Sequence, residues 1–250
     1  MRDKTSFHSI ILYTVIVFAL SGLLLLLSFV FETAGDYWIV FPQFAPVLTI
    51  ILLFVMRRRK GFTFDVKHRF RVNKKVLIYS IFAMLFVFAV FGGFGLVLSG
   101  FSKPSLQWNT PSLAIGFICV LAGCIGEEIG WRGFLLPAFN RNFPLIISSL
   151  LTGVIWGAWD LDFGDGVVGF FVTILFTISL SIIMSWYQVK SGGSIITAVV
   201  MHFFVYFFAR STLFDMSLSE HFILSLSLGV IGAVLFLVDR KTFMPEENAA

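Results

Sequence analysis

Charge is what this chain has least of. Only 13% of its 250 residues are Asp, Glu, Lys or Arg, where a soluble domain carries about 25%. That deficit excludes an ordinary hydrated surface and points to an integral membrane protein. Cysteine is nearly as scarce. Two residues exclude a disulfide framework, and Cys119 and Cys124 share one apolar run as packing positions. There is no internal repeat, no low-complexity linker and no second soluble domain. A cleavable leader is not expected either. Arg2 and Lys4 precede an apolar run, but the run is too long and has no small-residue cleavage pattern, so it reads as a retained first helix. The net charge of +4 and pI near 9.2 do not imply nucleic acid, because the positive charges lie where membrane topology requires them.

What the chain has is apolar length. It is 58% hydrophobic and 17% aromatic, with 32 phenylalanines and a mean hydropathy of +0.95. A spanning helix needs about 20 apolar residues. Eight runs qualify, at 9–31, 38–56, 77–99, 111–136, 144–163, 167–188, 193–209 and 222–238. The expected fold is all-α: one polytopic membrane helical bundle of about eight transmembrane helices, a single domain over 1–250. Pro137 marks the expected exit of the fourth helix. The tail "DRKTFMPEENAA" is polar and expected to be loose.

The loops set orientation. "RRRKGFTFDVKHRFRVNKK" (57–75) holds nine Lys/Arg against one Asp, which makes it cytoplasmic by the positive-inside rule. An even helix count then puts both termini inside. Sixteen of the eighteen Lys/Arg fall on that side or at its helix ends, Lys103 and Arg210 being outside. "FETAGDYW" (31–38) is an acidic external loop. The basic loop also suits contact with anionic lipid.

A few ionisable residues fall inside apolar runs: Glu127, Glu128, Arg132, Asp160 and His202. A charge at a helix centre costs about 2.5–3.5 kcal/mol on insertion scales, so such groups face the bundle interior and usually serve function. In "LAGCIGEEIGWRGFLLP", Glu128 and Arg132 are four apart with the acid first, the favourable order for a pair. Glu127 is rotated about 100° from Glu128. One acid can pair with the arginine while the other is left free. Gly123, Gly126, Gly130 and Gly133 recur every three or four residues and allow close helix approach. Trp156 and Asp160 are four apart, although Asp160 reads equally well as the first residue of an external loop with Asp162 and Asp165. His202 and Tyr206, also four apart, share a helix face.

These three stretches together resemble the CAAX-protease and bacteriocin-processing family of intramembrane endopeptidases, also called Abi proteins. Its pattern is EExxxR, then FxxxH, then HxxxN or a similar polar residue, on successive helices. "EEIGWR" (127–132) matches the first in full. "WGAWD" (156–160) stands at the second, with Asp160 where histidine is expected. "HFFVY" (202–206) stands at the third, with Tyr206 where asparagine is expected. The resemblance covers 111–209. It implies a glutamate that activates a water for attack on an amide. Carried over, Glu127 is the expected base, Glu128 and Arg132 the structural pair, and His202 an oxyanion or proton-transfer group, with the roles of the two glutamates interchangeable at this stage. Tyr206 offers an O–H to an oxyanion in place of an amide N–H. Asp160 beside Glu127 makes a carboxylate pair, which serves as acid and base in other hydrolases.

The expected function is therefore an intramembrane endopeptidase without a cofactor, acting on a membrane-associated peptide or protein in a bacterial cell membrane. Bacteriocin or peptide-signal maturation and self-immunity are expected ahead of prenyl-protein processing. A catalytically impaired member that binds a peptide or partner is the alternative. Weaker readings are a metal site of Glu127, Asp160 and His202, and a transporter, for which the inverted repeats are lacking.

Overall fold

A computed structural model describes residues 7–30, 41–57, 66–98, 110–208 and 216–244. Among the described residues the regular structure is entirely helical. Helix α1 is Phe7–Val30. A 3-10 turn, Pro42–Phe44, leads into α2, Ala45–Arg57. The short α3, Val66–Arg69, precedes α4, Lys74–Val87, which runs through a π turn at Phe88–Gly92 into α5, Gly93–Leu98. Helix α6, Thr110–Gly130, continues through a second π turn, Trp131–Leu135, into α7, Leu136–Asn140. Then come α8, Leu145–Asp160; α9, Gly166–Lys190; α10, Ile196–Phe208; α11, Leu218–Val238; and α12, Arg240–Phe243.

These elements form eight apolar rods that coincide with the eight expected runs to within a few residues. Phe7–Leu27, Lys74–Val97, Gly166–Lys190 and Leu218–Val238 are long and apolar enough to cross a membrane, while Pro42–Met56, Leu145–Asp160 and Ile196–Phe208 are shorter. The protein is an all-α membrane bundle. The acidic loop 31–38, residues 58–65 of the basic loop, Lys103, Arg210 and both termini lie outside the described residues.

Local chemistry sets several boundaries. The Asn73 side chain accepts from the Val76 N–H at 3.0 Å and opens α4. Ser217 and Glu220 form a reciprocal capping box that opens α11. Pro137 does not end the fourth rod, contrary to the sequence expectation. A proline inside a helix lacks one N–H and presses its ring against the carbonyl four residues back. Here the π turn directly ahead of it loosens the backbone and lets the rod run on to Asn140. The tail also departs from expectation up to residue 244. Phe243 is fully buried against Leu136, Leu145 and Ile182.

Small residues decide which rods meet. Helix α8 packs on α9, α9 on α11, α6 on α2, and α10 on both α4 and α6. A Cβ on Gly153 would lie 2.5 Å from Ile178 Cα, and one on Gly157 would lie 2.7 Å from Ile174 Cα, so α8 and α9 touch backbone to backbone. Side-chain hydroxyls close the same seam. Thr177 donates to the Gly153 carbonyl at 3.0 Å and Ser181 to the Ser149 carbonyl at 2.9 Å. On α6, a Cβ on Gly126 would lie 3.0 Å from the Gln43 carbonyl, and one on Gly130 would run into Pro46 and the Tyr13 hydroxyl. The glycine spacing expected to admit a neighbour thus does so at these two positions.

Candidate active site

The expected acid–arginine pair is present and completely buried. Arg132 donates to Glu128 Oε1 at 3.1 Å, with neither side chain exposed. The same oxygen meets His202 Nδ1 at 2.8 Å. Glu128 is therefore shared between a guanidinium and an imidazole. Arg132 also lies over the Trp156 ring, 4.4 Å from its centroid, and its other terminal nitrogen points at the Met184 sulfur at 3.4 Å. A guanidinium suits such a mixed setting because it is planar and weakly hydrated. Where the π turn frees the Arg132 carbonyl, the Gln188 side-chain amide donates to it at 3.2 Å.

Glu127 points elsewhere, as its rotation from Glu128 requires. Its Oε2 accepts from two indoles, Trp131 Nε1 at 3.3 Å and Trp156 Nε1 at 3.2 Å. Its Oε1 is buried and has no hydrogen-bond partner among the described residues, and the same holds for His202 Nε2. Buried polar atoms in proteins are otherwise almost always paired, so these two mark a polar interior that protein groups leave open.

The remaining expected residues gather here. Asp160 is the last residue of α8, and Leu161 turns the chain in the left-handed region at φ 49°. Asp160 is solvent-exposed, and its charge acts on Glu127. It is thus both a helix end and part of the Glu127 surroundings. The Tyr206 ring is 5.2 Å from the His202 ring, and His202 lies edge-on to Trp156 at 5.0 Å. Tyr206 also interacts electrostatically with Glu127, Asp160 and Cys124, and the Gln43 side chain lies near its hydroxyl. Glu127, Glu128, Arg132, His202 and Tyr206 therefore lie together, and Asp160 acts on Glu127 and Tyr206 through its charge. Among the described residues no three His, Cys, Asp or Glu side chains are grouped so as to hold a metal ion, Glu127, Asp160 and His202 included.

Five participants were not singled out from the sequence. Trp131 sits inside the first motif yet reads as apolar filling. Gln43 follows Pro42 in the turn ahead of α2. Tyr13 lies in an apolar run, its ring 6.0 Å from that of Trp131 and its hydroxyl buried without a described partner. Met184 and Gln188 support Arg132 from α9. A polar atom in an apolar run was the available hint for Tyr13 and Gln188.

The fold and this centre define a polytopic membrane protein with an acid–imidazole–indole site buried between helices. Comparison with known proteins agrees with that class. Residues 108–208 match the family model described as Rce1-like, type II CAAX prenyl endopeptidase. A curated relative named CAAX prenyl protease 2, from Methanococcus maripaludis, is 26% identical over 166 residues, covering 60% of this chain and 59% of the relative. The chain thus matches less than two thirds of that relative's length. Over this core the chain is similar to type II CAAX prenyl endopeptidases.

Proposed function

We propose that this protein is a CAAX-type intramembrane endopeptidase that uses Glu127 to activate a water against a peptide bond. The observation that carries the reading is the asymmetric hold on Glu127. Two indole N–H groups fix Oε2, and Oε1 is left buried and unpartnered. A base held this way presents one oxygen in a fixed direction, which is what proton abstraction from a positioned water needs. Glu128 also keeps one oxygen, Oε2, buried and unpartnered, but its Oε1 is bound to the Arg132 guanidinium and the His202 ring, and this ion pair favours Glu127 for the base and Glu128 for a structural part.

In the proposed reaction the water oxygen bonds to the scissile carbonyl carbon while Glu127 takes its proton. The C–N bond then breaks, and the proton passes to the leaving amine. With Glu128 accepting at Nδ1, His202 keeps Nε2 beside Trp156 and Tyr206, where it handles a proton or, when protonated, donates to the oxyanion. The Tyr206 hydroxyl is the second donor. The family and the named relative favour a CAAX-type substrate over the bacteriocin or peptide-signal maturation that the sequence alone favoured. A catalytically impaired binding protein is the second reading, and the carboxylate of Asp160 beside Glu127, where the family places an imidazole, is what favours it.

The test is cleavage of a quenched farnesylated CAAX peptide by the purified protein in liposomes. Glu127→Gln is expected to lose cleavage by about 10³-fold or more, the scale on which general-base and oxyanion contributions combine. Retained cleavage in that variant sinks the mechanism. Asp160→His is measured beside it. If that substitution creates cleavage in a parent that has none, the impaired reading holds.

A further inference from the structure

Helix α1 lies outside the segment 108–208 that the family model matches, yet it packs against the indoles of the site. Ile10, Tyr13, Val17 and Ser21 recur every three or four residues and are buried, while Ile11, Val15 and Leu23 on other faces are exposed. That period lines the buried four up as one stripe of a helix. Two of them carry hydroxyls. A hydroxyl turned inward from an apolar span is costly unless it meets a polar partner.

Ser21 meets an indole. Trp159 Nε1 donates to Ser21 Oγ at 2.6 Å, and both side chains are buried. The bond ties α1 to α8 and occupies the one donor of the Trp159 side chain. Trp159 in turn stands edge-on to Trp131, with ring centroids 5.4 Å apart and planes at 69°. Tyr13 also stands edge-on to Trp131, at 6.0 Å and 83°. Ring pairs in this arrangement are attractive and directional. The Trp131 plane is thereby set by two rings, one belonging to α1 and the other anchored to it. The Trp131 N–H ends on Glu127 Oε2 at 3.3 Å. That is slightly beyond the usual range for such a bond, so a modest turn of the indole loses it. The order is Ser21, Trp159, Trp131, Glu127, and every link is a hydrogen bond or a ring contact between buried groups.

We propose that Ser21 is a positioning residue for Glu127: it anchors Trp159, Trp159 and Tyr13 together set the plane of Trp131, and Trp131 aims the carboxylate. The consequence for catalysis rests on the endopeptidase reading above; the relay from Ser21 to Trp131 does not. Ser21→Ala removes the acceptor and strands the Trp159 N–H. A buried donor without its acceptor bears its full desolvation cost. The Trp159 ring then turns towards another acceptor, and its edge contact with Trp131 loosens.

Two measurements test the two halves separately. The first is nuclear magnetic resonance of the full chain in detergent micelles, isotopically labelled at its indole nitrogens. The six tryptophan signals are assigned by single Trp→Phe substitutions. Ser21→Ala is expected to shift the Trp131 Nε1–H resonance together with that of Trp159. The resonance of Trp186, which donates to Asp239 near the end of α9, is expected to stay in place. A Trp131 resonance that does not move overturns the relay whatever the activity. A shift of Trp186 as well reports a general loosening and also overturns it. The second is cleavage of the quenched farnesylated CAAX peptide in liposomes. Ser21→Ala is expected to lower kcat about threefold with KM unchanged, and Trp131→Phe about tenfold, the scale of one hydrogen bond to a charged group. The double variant is expected to match Trp131→Phe, because Ser21 acts through Trp131. An unchanged kcat in Ser21→Ala, a raised KM, or a loss added in full to that of Trp131→Phe overturns the positioning role. No cleavage by the parent overturns the endopeptidase reading for this peptide, and the resonance shifts then decide the relay by themselves.

Discussion

Each polar atom around Glu127 has a definable part, and the indoles make the most specific claim. Trp156 does two things at once: its ring face carries the Arg132 guanidinium, and its N–H reaches Glu127 Oε2. Phenylalanine preserves the first role in weaker form and deletes the second. A hydrogen bond to a charged group contributes about 1.5–3 kcal/mol, and about 1.4 kcal/mol is tenfold in rate. Trp156→Phe is therefore expected to lower kcat on the CAAX peptide about tenfold with KM nearly unchanged, because the lost contact orients the base and does not hold the substrate. If instead KM rises and kcat stays, Trp156 contacts substrate and the orienting role is wrong. Arg132 is the costlier residue to touch. Deleting one partner of a buried pair leaves a charge uncompensated, at about 3–5 kcal/mol, so its variants report on folding before they report on catalysis.

At the scale of elements, the α8–α9 seam is where packing and chemistry meet, since α8 carries Trp156 and Asp160. Gly153→Val places a branched side chain against the Ile178 backbone, 2.5 Å from its Cα already at Cβ. Backbone cannot yield as a flexible side chain can, so α8 must move, with a loss of about 1–3 kcal/mol or more. Thermal unfolding in detergent is expected to show a clearly lowered Tm. Gly22→Ala, whose Cβ would meet nothing within 4 Å, is the control and is expected to leave Tm unchanged or raised. A Gly153→Val protein as stable as the parent would mean that the seam is not close-packed. This seam also marks how far the sequence could be read. The eight rods were legible because a membrane span announces itself by apolar length alone. The Glu128–Arg132 pair was legible because an i,i+4 spacing on a helix fixes its own geometry. The π turn at Trp131–Leu135 was not, since it depends on Pro137 being absorbed within a packed rod. Nor was the grip of Trp131 and Trp156 on Glu127, because it joins two helices whose contact the chain does not encode locally. Asp160 stayed ambiguous between helix and loop for the plain reason that it is the last helical residue.

Across the whole molecule, the site extends beyond the segment that the family model matches. The family match spans 108–208, yet Gln43, ahead of α2, is buried and its side chain acts on the Tyr206 hydroxyl. Its position is locked by backbone contact: Gly126, next to Glu127, leaves room for the Gln43 carbonyl. An amide N–H given to the tyrosine oxygen leaves the hydroxyl proton free to point at a substrate carbonyl. The role of Gln43 then runs entirely through Tyr206, and that dependence is measurable. Tyr206→Phe removes the donor and is expected to cost about 10²-fold in kcat, the usual scale for one oxyanion contact. Gln43→Met keeps the volume, removes the amide, and is expected to cost about tenfold with KM unchanged. Groups that act through one another are not additive, so the double variant is expected to be no worse than Tyr206→Phe alone. Full additivity would make Gln43 a packing residue of α2 with no part in orienting Tyr206. If the double variant matches the single one, the first two helices do more than anchor the chain: they position a donor in a site whose acids and imidazole come from the other half.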